Sequence, residues 1–289
     1  MAYRKKWNKK SRFLICCTAF VLILALLIVI TATGSSSPAT ESSSSENSGD
    51  SSTSADISSD SQDTPSGKTD DSSSHPTSHM IDGVPTIQQA DLKAGCETYA
   101  CTMLLQSLGY DMDEYLFADN YLISSPTSWD EYGNHYGPDM YSAMAGTAYM
   151  GFGIYAPAMA KSMNRYLTAV GSNQKAYDLE GVPLEQLCRD YIDHDIPVMV
   201  WATTWMWEPG TGEESLHRWI VDYVDPEIGR AQIGDEVYWK EHEHCLVLIG
   251  YDETDYYFAD SYKGAVSHFE KALCQQRYEQ IGTMAIVVK

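Results

Sequence analysis

Basic side chains are scarce in this sequence. Nineteen Lys and Arg stand against 40 Asp and Glu over 289 residues, a formal charge of −21. The imbalance is concentrated in residues 80–289, which hold 32 acidic and 12 basic side chains. So acidic a surface is repelled by phosphate backbones, which excludes nucleic acid as a partner. No internal repeat occurs, which excludes solenoids and propellers. No H-E-x-x-H helix is present, and no third ligand at a diagnostic spacing accompanies Glu241-His242-Glu243-His244. Neither a metal nor a cofactor is expected on that pattern. Residues 35–79 lack large apolar side chains almost entirely. They hold 19 Ser, eight acidic residues and one Lys, and cannot bury enough surface to fold.

Residues 13–34 lack charge altogether. Within them Phe13 to Ile30 is an 18-residue apolar run interrupted by one Thr, close to the length that crosses a bilayer. Arg4, Lys5, Lys6, Lys9, Lys10 and Arg12 precede it. The positive-inside bias then predicts a basic cytoplasmic tail at 1–12, a transmembrane signal anchor at 13–34 and everything after it outside the membrane. Ala32-Thr33-Gly34 also offers a small-residue cleavage site, but the apolar run exceeds the usual length of a cleaved signal. Both readings export the chain. Cys16 and Cys17 lie inside the run and read as apolar filler. Residues 35–79 read as a disordered linker spanning about 35–40 Å r.m.s. as a coil, which lets a tethered domain work within a cell wall.

The folded domain is expected at 80–289. Cys96 to Tyr110 has apolar residues at Ala100, Met103, Leu104 and Leu108, the spacing of a helix, and Gly109 ends it. Residues 139–168 are predicted helical in two pieces, split near Gly151–Pro157. Leu184 to His194 is predicted as a further helix. VMVWA, HCLVLIGY, DYYFAD and TMAIVV read as strands, and 203–240 as a long irregular stretch. Helices first and strands later argue α+β rather than a doubly wound sheet.

Five Cys lie in this domain, at 96, 101, 188, 245 and 274. Exported thiols tend to pair, and an odd count leaves at least one free if the bridges stay within the domain. Cys188 with Cys274 is one conceivable bridge. Cys96 follows Gly95 and opens a helix, where the macrodipole and free N–H groups favour a thiolate and can hold an oxyanion. A thiolate nucleophile needs a base, and the base an orienting group. His244 begins one strand, and Asp260 ends the next after the turn GYDETD, so a hairpin brings them to the same end.

At this point VPTIQQADLKAGCETYACTMLLQSLGY resembles the opening of the bacterial papain-like cysteine peptidases related to the bacteriocin-processing, double-glycine leader peptidases. IPVMVWAT, EHCLVLIGYD, FADSYKG, a Phe-Glu at 269–270 and a closing strand at 282–288 follow in the family's order. The resemblance covers about residues 84–288. It implies a papain-like α+β fold, with N-terminal helices on a C-terminal antiparallel sheet. It also implies that Cys96 is the nucleophile, His244 the general base, Asp260 the orienting carboxylate and Gln89 the oxyanion-hole side chain. Of the adjacent Gln88 and Gln89, the second fits better by its distance from Val84-Pro85. The family often has Asp-Pro where this chain has Asp260-Ser261. The leader peptidases proper sit on the cytoplasmic side of exporters, so double-glycine cleavage is not implied for a chain that faces outward.

The expectation is an extracytoplasmic, membrane-tethered cysteine peptidase with a peptide or protein substrate. Its other partners would be the bilayer, through the N-terminal helix, and the cell wall. Two alternatives stay open: hydrolysis or transpeptidation of peptidoglycan stem peptides on the same scaffold, and a non-enzymatic surface-binding module. The complete Cys, His, Asp and Gln set argues against the last. Glu97 reads as dipole compensation in a first turn. Trp201, Trp205 and Trp207 read as packing or as the wall of a substrate groove, with Trp201 in the core.

Overall fold

Residues 75–210 and 217–289 are described by the computed structural model. The expected tail, the signal anchor and residues 35–74 of the linker lie outside them. In chain order the first elements are β1 (His79–Met80), α1 (Cys96–Ser107), α2 (Glu114–Asn120), β2 (Ser124–Ser125), β3 (Ser128–Trp129), β4 (His135–Pro138) and β5 (Met144–Ala145). Then come α3 (Ala156–Ala169), β6 (Ala176–Asp178), α4 (Leu184–Asp190), β7 (Val198–Thr203), β8 (Arg218–Tyr223) and β9 (Glu236–Tyr238). The last are β10 (Glu243–Tyr251), β11 (Asp255–Asp260), β12 (Ala265–Glu270), α5 (Lys271–Ile281) and β13 (Ala285–Val288).

The main sheet runs β12-β11-β10-β7-β13-β6, with every neighbour antiparallel, and β1 pairs with the end of β10. His75 and His79, placed in the linker by composition, belong to this domain. His75 Nδ1 lies 2.7 Å from Asp193, and His79 pairs with Tyr251. Strand β10 is buried along its whole length because helices cover both faces of the sheet. Cys245, Val247 and Ile249 face a layer that includes Tyr99 and Met103 of α1 and Met159 of α3. Leu246 and Leu248 face the opposite layer, with Leu187 of α4 and Tyr278 of α5. The period-two alternation therefore feeds two cores at once.

Helix α1 has no side-chain cap at Gly95. With Gly at that position the missing side-chain cap costs roughly a few tenths of a kcal/mol. Against that, Tyr99, Met103, Leu104 and Leu105 are fully buried, each contributing about 1.5–3 kcal/mol, so packing fixes this helix. Helix α5 has the cap that α1 lacks: Glu270 accepts from the N–H groups of Ala272 and Leu273.

Residues 139–151 depart from the predicted helix. Gly146 and Gly151 meet in an antiparallel bridge, so the helix starts only at Ala156, with Pro157 in its first turn. The stretch expected to be irregular contains β8 and β9, which join β3 and β4 in a second sheet. Trp219 is buried there, and its indole N–H donates to the carbonyl of Pro138 at 2.8 Å. All five Cys of the domain are buried free thiols, so the bridge considered between Cys188 and Cys274 is not formed.

Candidate active site

Strand pairing brings His244 and Asp260 together. Register places His244 opposite Ala202 on β7, and β11 returns along the other side of β10 to end at Asp260. His244 Nε2 lies 2.9 Å from Asp260 Oδ1, with both side chains buried. The bond engages the Nε2 nitrogen of the imidazole. Asp260 is held in turn by two donors: the Tyr262 N–H to Oδ1 at 2.9 Å and the Ser267 hydroxyl to Oδ2 at 2.8 Å. Burial pushes this carboxyl's pKa up. The imidazole's hydrogen bond and charge, with the Ser267 and Tyr262 donors, outweigh that and hold it below the usual carboxylate value.

Cys96 opens α1, as the sequence predicts, and is buried. The backbone N–H of Cys245, the residue after His244, draws the thiol's pKa down slightly. The thiol donates to Glu97 Oε2 at 3.3 Å. The expected thiolate at a helix N-terminus is not what this arrangement favours. Burial raises the thiol's pKa well above its ordinary value, and the nearby Glu97 and Glu243 carboxylates raise it further.

Glu97 is more than dipole compensation. It is buried, and its Oε1 accepts from the Ile154 N–H at 2.8 Å. Burial pushes it up to about 7, against the bonds from Ile154, its own N–H and the Cys96 thiol. Glu243 is buried beside it, and burial together with the charge of Glu97 raises it well above the usual range. The two carboxyls cannot both ionise there. Space for Glu97 depends on Gly153, where an added Cβ would sit 2.6 Å from Glu97 Oε1 and 2.5 Å from the Trp239 ring.

The loop before α1 is tied to the turn after β11. The Gln89 N–H donates to the Ser261 carbonyl at 2.7 Å, and its side-chain amide donates to the carbonyls of Leu92 and Lys93 at 3.0 and 3.3 Å. Gln88 donates to the Tyr262 carbonyl at 2.9 Å, the one acceptor its amide meets among the described residues. Gly264, at φ +65°, leaves room for Gln88, whose Oε1 lies 2.7 Å from where a Cβ would stand. Tyr262 stands edge-on to both His244 and Trp205. Trp205, Met206 and His242 all have positive φ, so strained backbone gathers at the strand ends beside the imidazole. Trp201 is core, its indole donating to the Ile154 carbonyl at 3.0 Å, whereas Trp205 and Trp207 are exposed. Glu243, Ser267 and Tyr262 were not singled out for this site from sequence.

The helix that opens at Cys96 docks on the antiparallel sheet at β10, the strand that carries His244 of the buried His–Asp pair. Residues 81–286 match the model of the Peptidase_C39 like family, and the chain belongs to that family and is a cysteine peptidase. Among solved structures, it is similar to a Bacillus anthracis protein described as a C39-like peptidase. The two share 24% identity, with 73% of this chain and 97% of that one covered and a TM-score of 0.59, which shows the shared fold. A more distant likeness is to the peptidase domain of Streptococcus ComA, a bi-functional ABC transporter involved in a quorum-sensing pathway. There the identity is 12%, the coverage 71% and 98%, and the TM-score 0.39. No curated protein matches.

Proposed function

We propose that the chain hydrolyses peptide bonds through Cys96, His244 and Asp260. The observation that carries this reading is the buried His244–Asp260 pair, 2.9 Å apart, whose imidazole precedes by one residue Cys245, the N–H of which acts on the Cys96 thiol. In the proposed mechanism the Cys96 proton passes to His244 Nδ1, and the sulfur attacks the amide carbon. The carbonyl oxygen becomes an oxyanion, held by the Cys96 main-chain N–H and a glutamine amide. Gln89 was expected to supply that amide, but its donors are engaged within its own loop. Gln88 is the freer donor. His244 then gives its proton to the leaving nitrogen as the C–N bond breaks. Water, deprotonated by His244, releases the acyl group from sulfur. Asp260 holds the imidazole in one tautomer and stabilises its charged form.

Export and tethering belong to the same proposal. Their support is the basic segment before an uncharged apolar run in residues 1–34; among the described residues no helix is long and apolar enough to cross a membrane. The substrates proposed are peptides or proteins outside the membrane, within reach of the bilayer and cell wall, with basic peptides favoured by the acidic domain.

The test is hydrolysis of a quenched peptide library by the full chain, together with labelling by a peptidyl electrophile. Cys96→Ala is expected to abolish both, and His244→Ala to abolish labelling. Hydrolysis at the original rate by Cys96→Ala overturns the assignment.

A further inference from the structure

Glu243 is the most anomalous side chain of the domain. It is 8% exposed, and neither carboxyl oxygen has a hydrogen-bond partner. A buried carboxyl is ordinarily paired, hydrogen-bonded or bound to a metal ion. The groups it faces are themselves ligand types: one carboxylate oxygen of Glu243, one of Glu97 and the Cys96 sulfur all lie within 4.8 Å of one another. All three are buried. In a tetrahedral zinc site, with Zn–S of about 2.3 Å and Zn–O of about 2.0–2.2 Å, neighbouring ligand atoms stand roughly 3.5 Å apart. Cys96 Sγ and Glu97 Oε2 already stand 3.3 Å apart, and the separations within 4.8 Å require the donors to close by at most about 1.3 Å. A thiolate among them disfavours Mg²⁺ and Ca²⁺, which seek six or more oxygens, and suits the borderline Zn²⁺.

We propose that Cys96, Glu97 and Glu243 bind one Zn²⁺, with water in the fourth position, and that the bound ion withholds the sulfur from substrate. The thiol proton and the protons held by the carboxyl pair leave to solvent as the ion enters. Sulfur then carries its lone pair to zinc rather than to a carbonyl carbon. The site itself needs only the three side chains. Its inhibitory role rests on Cys96 being the nucleophile.

The test uses the full-length chain, reduced with a non-chelating phosphine, and Co²⁺ as a spectroscopic stand-in for Zn²⁺. One equivalent of Co²⁺ is expected to give a thiolate-to-cobalt charge-transfer band and the visible bands of four-coordinate cobalt, both removed by Zn²⁺. Cys96→Ser is expected to lose the charge-transfer band. Glu243→Gln and, separately, Glu97→Gln are expected to weaken binding at least tenfold. Zn²⁺ is expected to slow haloacetamide labelling of Cys96 in proportion to occupancy. Absence of the band in the unaltered chain overturns the site without reference to any variant, and so does a band unchanged in both Gln variants. A band together with unslowed labelling overturns the inhibitory role. A band in a chain that, once stripped of metal, neither hydrolyses peptides nor takes up the electrophile at Cys96 supports the metal site and removes the nucleophile reading, so the two failures are distinguishable.

Discussion

Ser267 offers the sharpest test of how the imidazole–carboxylate pair is held. Its hydroxyl donates to Asp260 Oδ2 at 2.8 Å, and Ser267 and Asp260 are only 2% and 4% exposed. Ser267→Ala keeps the Cβ and removes only the donor. A hydrogen bond to a charged group contributes about 1.5–3 kcal/mol, and an orphaned buried oxygen bears the desolvation cost as well. Because both partners are shielded from water, the loss at neutral pH should fall in the upper part of that range, about 2–3 kcal/mol. For a domain of this size that lowers Tm by about 4–12 °C. The pH dependence has a definite sign. Asp260 has a folded-state pKa below its unfolded value of about 3.9. Its contribution is therefore fully present above that unfolded value and is lost as pH falls through the folded one. Without the Ser267 donor the folded value moves up toward the unfolded one, so the gap between the two proteins is full at neutral pH and shrinks in acid. Urea unfolding followed by tryptophan fluorescence measures the gap, with equal slopes expected for both proteins. A difference below about 0.5 kcal/mol at neutral pH, or one undiminished near pH 3, would refute a charge-assisted role for Ser267.

Two further outcomes follow from the same geometry. Asp260→Asn keeps the shape but favours the wrong imidazole tautomer, and kcat for peptide hydrolysis is expected to fall by about 10³–10⁴ with the fold retained; a loss under about tenfold in steady-state kinetics counts against the orienting role. Gly153→Ala places a methyl 2.5 Å from the Trp239 ring and 2.6 Å from Glu97, both buried. It is expected to destabilise the domain by about 1–3 kcal/mol in a thermal melt, and an unchanged Tm would show that the carboxylate has room to move.

Much of the scaffold was legible because its signals are local. Gly95, the helical spacing after Cys96 and Gly109 bracket α1; VMVWA, HCLVLIGY and DYYFAD are apolar runs of strand length and became β7, β10 and β11. The hairpin that joins His244 to Asp260 followed from the turn between them. What stayed hidden depends on chain segments far apart in sequence. Glu243 reads as a polar strand start until α1 docks on β10 and sets Glu97 beside it. Ser267 is one serine on a half-exposed edge strand until β12 pairs with β11 and turns its hydroxyl onto Asp260. Residues 139–151 carry helical spacing, but the close approach of Gly146 to Gly151 forms a bridge that no periodicity count detects.

The surroundings of Cys96 oppose the local rule that a helix N-terminus favours a thiolate. A helix N-terminus favours an anion by about 0.3–1 kcal/mol at exposed positions and by up to about 2 in partly buried ones. Taking an ion out of water costs several kcal/mol even after relaxation, and a neighbouring carboxylate adds to that cost. At Cys96 both penalties operate, and the opposing N–H of Cys245 does not offset them. The dipole argument is correct in sign and too small in size. The proposed thiolate therefore has to come from proton transfer to His244 rather than from the helix. The pair Glu97 and Glu243 decides how costly that transfer is, since one shared proton leaves a negative charge beside the sulfur and a second removes it. In the proposed mechanism the reactivity of Cys96 is thus set by two carboxyls, Glu97 next to it in sequence and Glu243, which chain folding brings against it.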